Sequence, residues 1–462
     1  MKIALINICL RPDSIRRQLP VGLAYIATSI KKSGYDFDLI DMDIYRYSLA
    51  DLEKILLEKE YDVFGFGCIV SGFRIARDIA QLIRKIQPKS IIIAGNSLAA
   101  ALPELTLTTT DIDICVLKEG DYTMPELLRA IEIEQPLENV AGIAFMQNGE
   151  MVVTPARPFH TDLDRYGFPD WDLFDLSEYD KFAEVNENQY GEEMLICYPM
   201  TTARGCPYNC TFCYIAVRDK KIRYRRYSED SIQKEVIRLY ENYNARLISF
   251  WDDYSLPDKK TVQNRIDTMN NLPFSDVRWR CAVCSGLFTK EDKSLVMDLA
   301  ASGCDNLGFS LENASTEILK AMNKKISVAG FIEQCHVLAD CNITPLTSVI
   351  FGYPQETVES INLTLKVCEE ANVFPSVGFI LPLPGTKIYD WCREHNKITD
   401  DFKYLMNVGD RQDFHINLTS MSDETLIGKV TEGLQELAAK QGLELESVFK
   451  TGTYQKPQTP RS

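Results

Sequence analysis

Over residues 1 to about 130, five apolar runs of strand length alternate with stretches of helical period. The strand-like runs cover 2–7, 37–41, 62–67, 90–95 and 112–116, and the helical ones 22–33, 49–59 and 72–86. A parallel strand is buried on both faces and reads as an unbroken apolar run, and parallel neighbours need a crossover between them. The pattern predicts an α/β fold whose first domain, residues 1–135, is a doubly wound parallel sheet. Ligands of such sheets lie at the carboxyl ends of the strands. Those ends carry Asn7, Asp41, Gly67 through Ser71, Gly95, Asn96 and the turn Glu119-Gly120-Asp121.

The alternation resumes between residues 195 and 384. Directly after its first strand-like segment stands Arg204-Gly205-Cys206-Pro207-Tyr208-Asn209-Cys210-Thr211-Phe212-Cys213. Thiolates are soft ligands, and three of them spaced C-x3-C-x2-C in one loop can hold a four-iron cluster with one iron left open. Zinc is the alternative, or three free thiols. Zinc sites want four protein ligands from paired C-x2-C knuckles, and the C-x2-C of Cys281 and Cys284 has no partner pair. The fourteen cysteines show no paired framework, and the apolar run from Met1 to Ile6 breaks at Asn7, too short for a signal sequence or a membrane span. The expectation is reduced thiols in a cytoplasm and no membrane partner. A net charge of −16 argues against nucleic acid as a partner. Lys220, Lys221, Arg223, Arg225 and Arg226 form a basic run, either a solvated loop or a counter-charge for the cluster or an electron donor.

The stretch from Arg204 to Cys213 resembles the cluster loop of radical S-adenosylmethionine (SAM) enzymes. The first domain resembles the cobalamin-binding domain that precedes the radical domain in many of them. Gly65-Phe66-Gly67-Cys68-Ile69-Val70-Ser71, Ile93-Ala94-Gly95-Asn96-Ser97 and Lys118-Glu119-Gly120-Asp121 carry that second resemblance, and Phe168-Pro169-Asp170-Trp171-Asp172-Leu173-Phe174 is similar to the linker. Gly352-Tyr353-Pro354-Gln355-Glu356-Thr357 and Pro384-Gly385-Thr386 resemble turns that shape the family's cavity wall. The resemblance implies a Rossmann-like cobalamin domain, a linker over 136–190, a partial β/α barrel over 191–395, and a short helical region over 396–462 with a disordered tail. It implies a 4Fe-4S cluster on Cys206, Cys210 and Cys213, and SAM contacts from Phe212, Asp252, Asp253 and Glu312. It implies cobalamin contacts from Asn7, Asp41, Gly67, Ser71, Gly95, Asn96, Glu119 and Gly120. For the two acids that end a strand, Asp252 and Asp253, a capping role is the plain alternative. The chain departs from the pattern in two places. The histidine motif that some cobalamin proteins carry after the first strand is replaced by Asn7-Ile8-Cys9-Leu10-Arg11, with no histidine before His160, and Ala94 stands where a glycine is usual.

By the same resemblance the chain is expected to be an enzyme, a cobalamin-dependent C-methyltransferase. It would move a methyl group from one SAM through methylcobalamin to an unactivated carbon, using a 5′-deoxyadenosyl radical made from a second SAM. The substrate would be a small molecule or a peptide, with a flavodoxin- or ferredoxin-type protein as electron donor. One rival is a cyclase or ring-rearranging enzyme with the same cofactors and no methyl transfer. Another is a methylthiotransferase, which needs an extra cluster in the first domain, where Cys9, Cys68 and Cys115 are the thiols. A cobalamin-binding sensor, the rival from outside enzymes, would have no use for an open cluster iron.

Overall fold

The computed structural model describes residues 1–12, 14, 17–186, 193–214, 224–409 and 411–443. The first sheet holds β1 (Ile3–Asn7), β2 (Asp38–Asp41), β3 (Val63–Gly67), β4 (Ile91–Gly95), β5 (Ile114–Val116), β6 (Ile143–Gln147) and β7 (Glu150–Val153), in the order β2-β1-β3-β4-β5-β6-β7. The first five are parallel. Successive residues of each strand enter opposite cores: Ala4, Ile6, Phe64 and Phe66 on one face, Ile3, Leu5 and Val63 on the other. Burial on both faces is why these strands read as unbroken apolar runs.

The hairpin of β6 and β7 falls in the stretch expected to be linker, and the structure corrects that expectation. β6 pairs antiparallel with β5, Cys115 against Ala144, so the first sheet continues to Val153. Nothing inside a hairpin says which strand it docks on; that partner is a tertiary fact.

The second half begins with a small hairpin of β8 (Glu184–Asn186) and β9 (Glu193–Leu195). Then come β10 (Cys197–Met200), β11 (Ala203–Gly205), β12 (Tyr224–Arg226), β13 (Leu247–Phe250), β14 (Arg278–Ala282), β15 (Cys304–Gly308), β16 (Thr344–Leu346), β17 (Ser348–Phe351) and β18 (Ser376–Phe379). β10, β13, β14, β15 and β16 form a parallel sheet, and β17 with β18 extends its curve through a bridge between Glu312 and Val349. Helices alternate with these strands, giving an open β/α barrel. β11 and β12 pair antiparallel and bracket the cysteine loop.

Two packing features tie the halves together. Trp171 is wholly buried in one core with Leu19 and Ala24 of the first half and Tyr198 of the barrel, and Phe168 stacks on Tyr227 at 4.6 Å. After the barrel, the helix Asp401–Asn407 returns to the first domain: Leu405 and Val408 join its core, and Phe402 meets Phe73 edge-on at 6.0 Å. The helix Asp423–Lys440 packs against Val358–Glu370, and the tail expected to be disordered lies outside the described residues. Among the described residues no helix is long and apolar enough to cross a membrane.

Candidate functional site

With the strand order β2-β1-β3-β4-β5, the chain switches direction between β1 and β3, and a crevice opens at their carboxyl ends. It widens into a cavity of ≈ 960 Å³ whose opposite wall is the barrel. Asn7, Gly67, Gly95 and Asn96 line it at the ends of β1, β3 and β4, with Glu119 and Gly120 beyond β5. Facing them are Arg204, Cys206, Trp251 and Asp253. A Cβ on Gly67 or Gly95 would meet no neighbouring atom closer than 3.8 Å, so bare backbone gives these turns an open floor. The volume sits at the top of the range for ligand pockets, roughly 300–1,000 Å³. Size, floor and position fit a ligand as large and flat as a corrin. No histidine is among the described residues of the wall, and the His160 ring packs against Tyr122 and Tyr166 at 4.5 and 5.9 Å.

Three of the expected corrin contacts have other work. Asp41 is buried and caps Met42–Tyr45, accepting from the Asp43 and Ile44 amides at 3.2 and 3.1 Å, from Asn7 Nδ2 at 2.7 Å and from the Tyr179 hydroxyl at 2.6 Å. β2 is the outer strand, so its carboxyl end starts a helix away from the switch point. Burial raises the Asp41 pKa, and these donors pull it back. Ser71 sits in the single turn Val70–Gly72, off the cavity wall. Glu119 is on the wall, but its carboxylate accepts from Arg225 at 3.2 Å and from the Tyr166 hydroxyl at 3.0 Å.

Cys206, Cys210 and Cys213 are half-buried and free of disulfides. Burial pushes the Cys210 thiol up to about 11, Lys324 opposes the shift, and Cys213 and Cys206 are close enough to add to it. The loop is stapled to the barrel by the Thr211 amide donating to the Met322 carbonyl at 2.9 Å, Asn323 Nδ2 to the Asn209 carbonyl at 2.8 Å, and the Ile388 amide to the Thr211 carbonyl at 3.1 Å. Phe212 packs against the cluster of Ile318, Met322 and Ile350, an anchor for the loop and not part of the cavity wall. Lys324, which the sequence pattern did not single out, lies beside Cys210 and Cys213 and donates to Glu312 at 2.9 Å. A cation beside thiols favours the thiolate form that ligates iron, so this donor set suits a cluster. Among the described residues no three Cys, His, Asp or Glu side chains converge to hold a metal ion by themselves.

The two acids after β13 separate. Asp252 is buried and accepts from the Thr202 amide at 2.6 Å, the Thr202 hydroxyl at 2.5 Å and the Ala203 amide at 2.9 Å. It secures the chain entering the cysteine loop and is not among the residues lining the cavity, whereas Asp253 is. The basic run is built into ion pairs where it is described: Arg225 with Glu119, Arg226 with Glu229. Lys220, Lys221 and Arg223 lie outside the described residues. Cys9, Cys68 and Cys115 lie in the apolar core of the first domain, where burial pushes the Cys68 and Cys115 thiols up to about 12. A buried Arg204 needed an acid partner, and that signal could have pointed to Asp121, which it meets at 2.9 Å.

The chain matches the radical SAM superfamily over residues 200–368 and the B12 binding domain over residues 17–128. It is 26% identical over 380 residues to an uncharacterized methyltransferase of Pyrococcus horikoshii, covering 82% of this chain and 79% of that protein. It is 25% identical over 403 residues to the anaerobic magnesium-protoporphyrin IX monomethyl ester cyclase of Cereibacter sphaeroides, covering 83% of this chain and 62% of that one. Its fold matches the radical S-adenosylmethionine methyltransferase TsrM of Kitasatospora setae, solved with cobalamin and a 4Fe-4S cluster bound, with a TM-score of 0.67 at 16% identity, covering 85% of this chain and 78% of that one.

Proposed function

A chain in which a B12-binding domain precedes a radical SAM domain belongs to the cobalamin-dependent radical SAM enzymes, and from that premise we propose that it methylates an unactivated carbon of a small molecule or peptide. The observation that carries this reading is the shared cavity. Gly67 and Gly95 on one wall and Cys206 and Asp253 on the other open on a single volume, where one substrate carbon can meet both cofactors. Cys206, Cys210 and Cys213 would hold the 4Fe-4S cluster, and Gly67, Gly95 and Asn96 would floor the cobalamin. When bound, the cluster with SAM supplies a 5′-deoxyadenosyl radical and cobalamin supplies a methyl donor.

The chain's own part is placement and exclusion of water. Asp252 fixes Thr202 and Ala203 and with them the start of the cysteine loop. Asp253, on the cavity wall, would accept from the amino group of SAM. Trp251 donates its indole N–H to Ser249 at 2.8 Å, which fixes the ring as an apolar face of the cavity. Holding reactants in one shared cavity replaces a chance encounter with a positioned one. The electron would come from a flavodoxin- or ferredoxin-type donor.

The likeness to the anaerobic cyclase supports a second reading, ring formation with the same cofactors and no methyl transfer. Methylthio transfer would need a second cluster, and the thiols available in the first domain are buried in an apolar core. The test is anaerobic reconstitution with iron, sulfide and hydroxocobalamin, then turnover of SAM with reductant and candidate substrates. Methyl transfer yields S-adenosylhomocysteine together with 5′-deoxyadenosine. Substrate conversion with 5′-deoxyadenosine alone selects the cyclase, and a protein that takes up iron but no corrin refutes the cavity assignment.

A further inference from the structure

Two arginines that bracket the cysteine loop are bonded to the turn that walls the cavity. Arg204, two residues before Cys206, gives both terminal nitrogens to Asp121 at 3.0 and 2.9 Å. Its guanidinium lies over the Tyr25 and Tyr166 rings, 4.7 and 4.4 Å from their centroids. Arg225, on the strand leaving the loop, bonds the Glu119 carboxylate and, at 2.7 Å, the His160 carbonyl. These side chains are nearly closed to solvent: Arg204 14%, Asp121 9%, Arg225 6% and Glu119 19% exposed. A two-pronged guanidinium–carboxylate pair fixes orientation as well as distance. The domains do not depend on it to stay docked, because the Trp171 core and the helix Asp401–Asn407 already join them.

We propose that Arg204 and Asp121 are positioning residues that set the cysteine loop against the corrin wall, so that the two cofactor sites are built as one unit. The proposal rests on the assignment of those sites made above. Coupling between two binding sites is reciprocal. Loosening the pair from the corrin side must therefore disturb the cysteine loop, and loosening it from the loop side must disturb the corrin wall.

The experiment uses the full chain as D121N, R204K and the double variant. Amide hydrogen exchange of the cofactor-free proteins comes first, read at 203–214 and at 118–122. Iron-free protein is then titrated with hydroxocobalamin, and corrin-free protein is loaded with iron and sulfide. Asp121→Asn is expected to speed exchange in the cysteine loop and lower iron per chain. Arg204→Lys is expected to speed exchange at 118–122 and weaken corrin uptake roughly tenfold, within the 5–150-fold range of typical couplings. The double variant should be no worse than the worse single one, since both break the same link. If the ion pair only adds stability, its loss would lower the melting temperature and leave each variant's exchange changes on its own side, and that result, or additive effects, overturns the proposal. If the unaltered protein takes up no corrin, the cavity assignment fails while the exchange data still decide the link.

Discussion

Lys324 donates to Glu312 at 2.9 Å while standing beside Cys210 and Cys213, so a single ammonium ties a strained barrel acid to the cysteine loop. Glu312 holds a left-handed backbone, φ 60°, pinned by its amide to the Ser348 carbonyl at 3.1 Å and by its own carbonyl to the Ile350 amide at 2.7 Å. The side chains of Lys324 and Glu312 are only 20% and 7% exposed. Lys324→Met would leave a buried carboxylate unpaired, at a cost of about 3 kcal/mol, and iron retained per chain should fall with it. Glu312→Gln keeps an acceptor for the ammonium and should cost about 1 kcal/mol. Denaturant titration with iron analysis checks both; equal losses would mean that the charge pairing, and not the hydrogen bond alone, holds the two side chains together.

The neighbours Asp252 and Asp253 are expected to behave oppositely. Asp252→Ala strips the buried Thr202 and Ala203 amides of their acceptor, where each unsatisfied group costs about 1–3 kcal/mol. Asp253→Asn keeps the size of an exposed side chain on the cavity wall and should cost less stability than Asp252→Ala. Its effect should appear in the KM for SAM. Thermal melts and SAM kinetics on both variants decide the matter; a stable Asp252→Ala protein would show that the cysteine loop is held by other means.

The strands were legible because burial on two faces writes itself into a short window of sequence, and the cysteine spacing because a cluster loop is local. The residues that proved different share one cause: their partners are far away in the chain. Asp41 looked like any acid at a strand end, and only the sheet order shows that β2 is the outer strand and its end a helix cap. Asp252 and Asp253 are indistinguishable in sequence, and the turn after β13 sends one inward and the other to the cavity. Arg204 and Asp121 are 83 positions apart, on different domains, and no periodicity connects them.

The open floor of the cavity gives a steric test. A Cβ on Gly67 would come no closer than 3.8 Å to Asn96, so Gly67→Ala should fold and melt like the parent. Gly67→Leu would push four carbons into the space assigned to the corrin, and hydroxocobalamin affinity should fall at least about tenfold, the effect of roughly 1.4 kcal/mol. Absorbance titration beside thermal melts separates the two effects. Unchanged corrin uptake in the leucine variant would place the ligand elsewhere.

Glu356 should make stability depend on pH in a direction opposite to that of an ordinary salt-bridged acid. It is 1% exposed, accepts from Asn313 Nδ2 at 3.3 and 3.2 Å and from the Gly352 amide at 3.2 Å, and supports the turn after β17. Burial pushes its carboxyl from 4.5 up to about 7, although Ser360, Asn313 and Gly352 pull it down. Below the unfolded value both states are protonated and the group contributes no pH dependence. Between the two values the folded chain keeps a proton that the unfolded chain has released, so stability falls as pH rises. Above the folded value the full penalty stands, about 3 kcal/mol for a shift of that size. Glu356→Gln resembles the protonated form at every pH and carries no such slope. Urea titrations from about pH 5 to about pH 8 should therefore show the variant gaining on the parent as pH rises, and parallel curves would mean that the buried carboxyl does not hold its proton near neutrality.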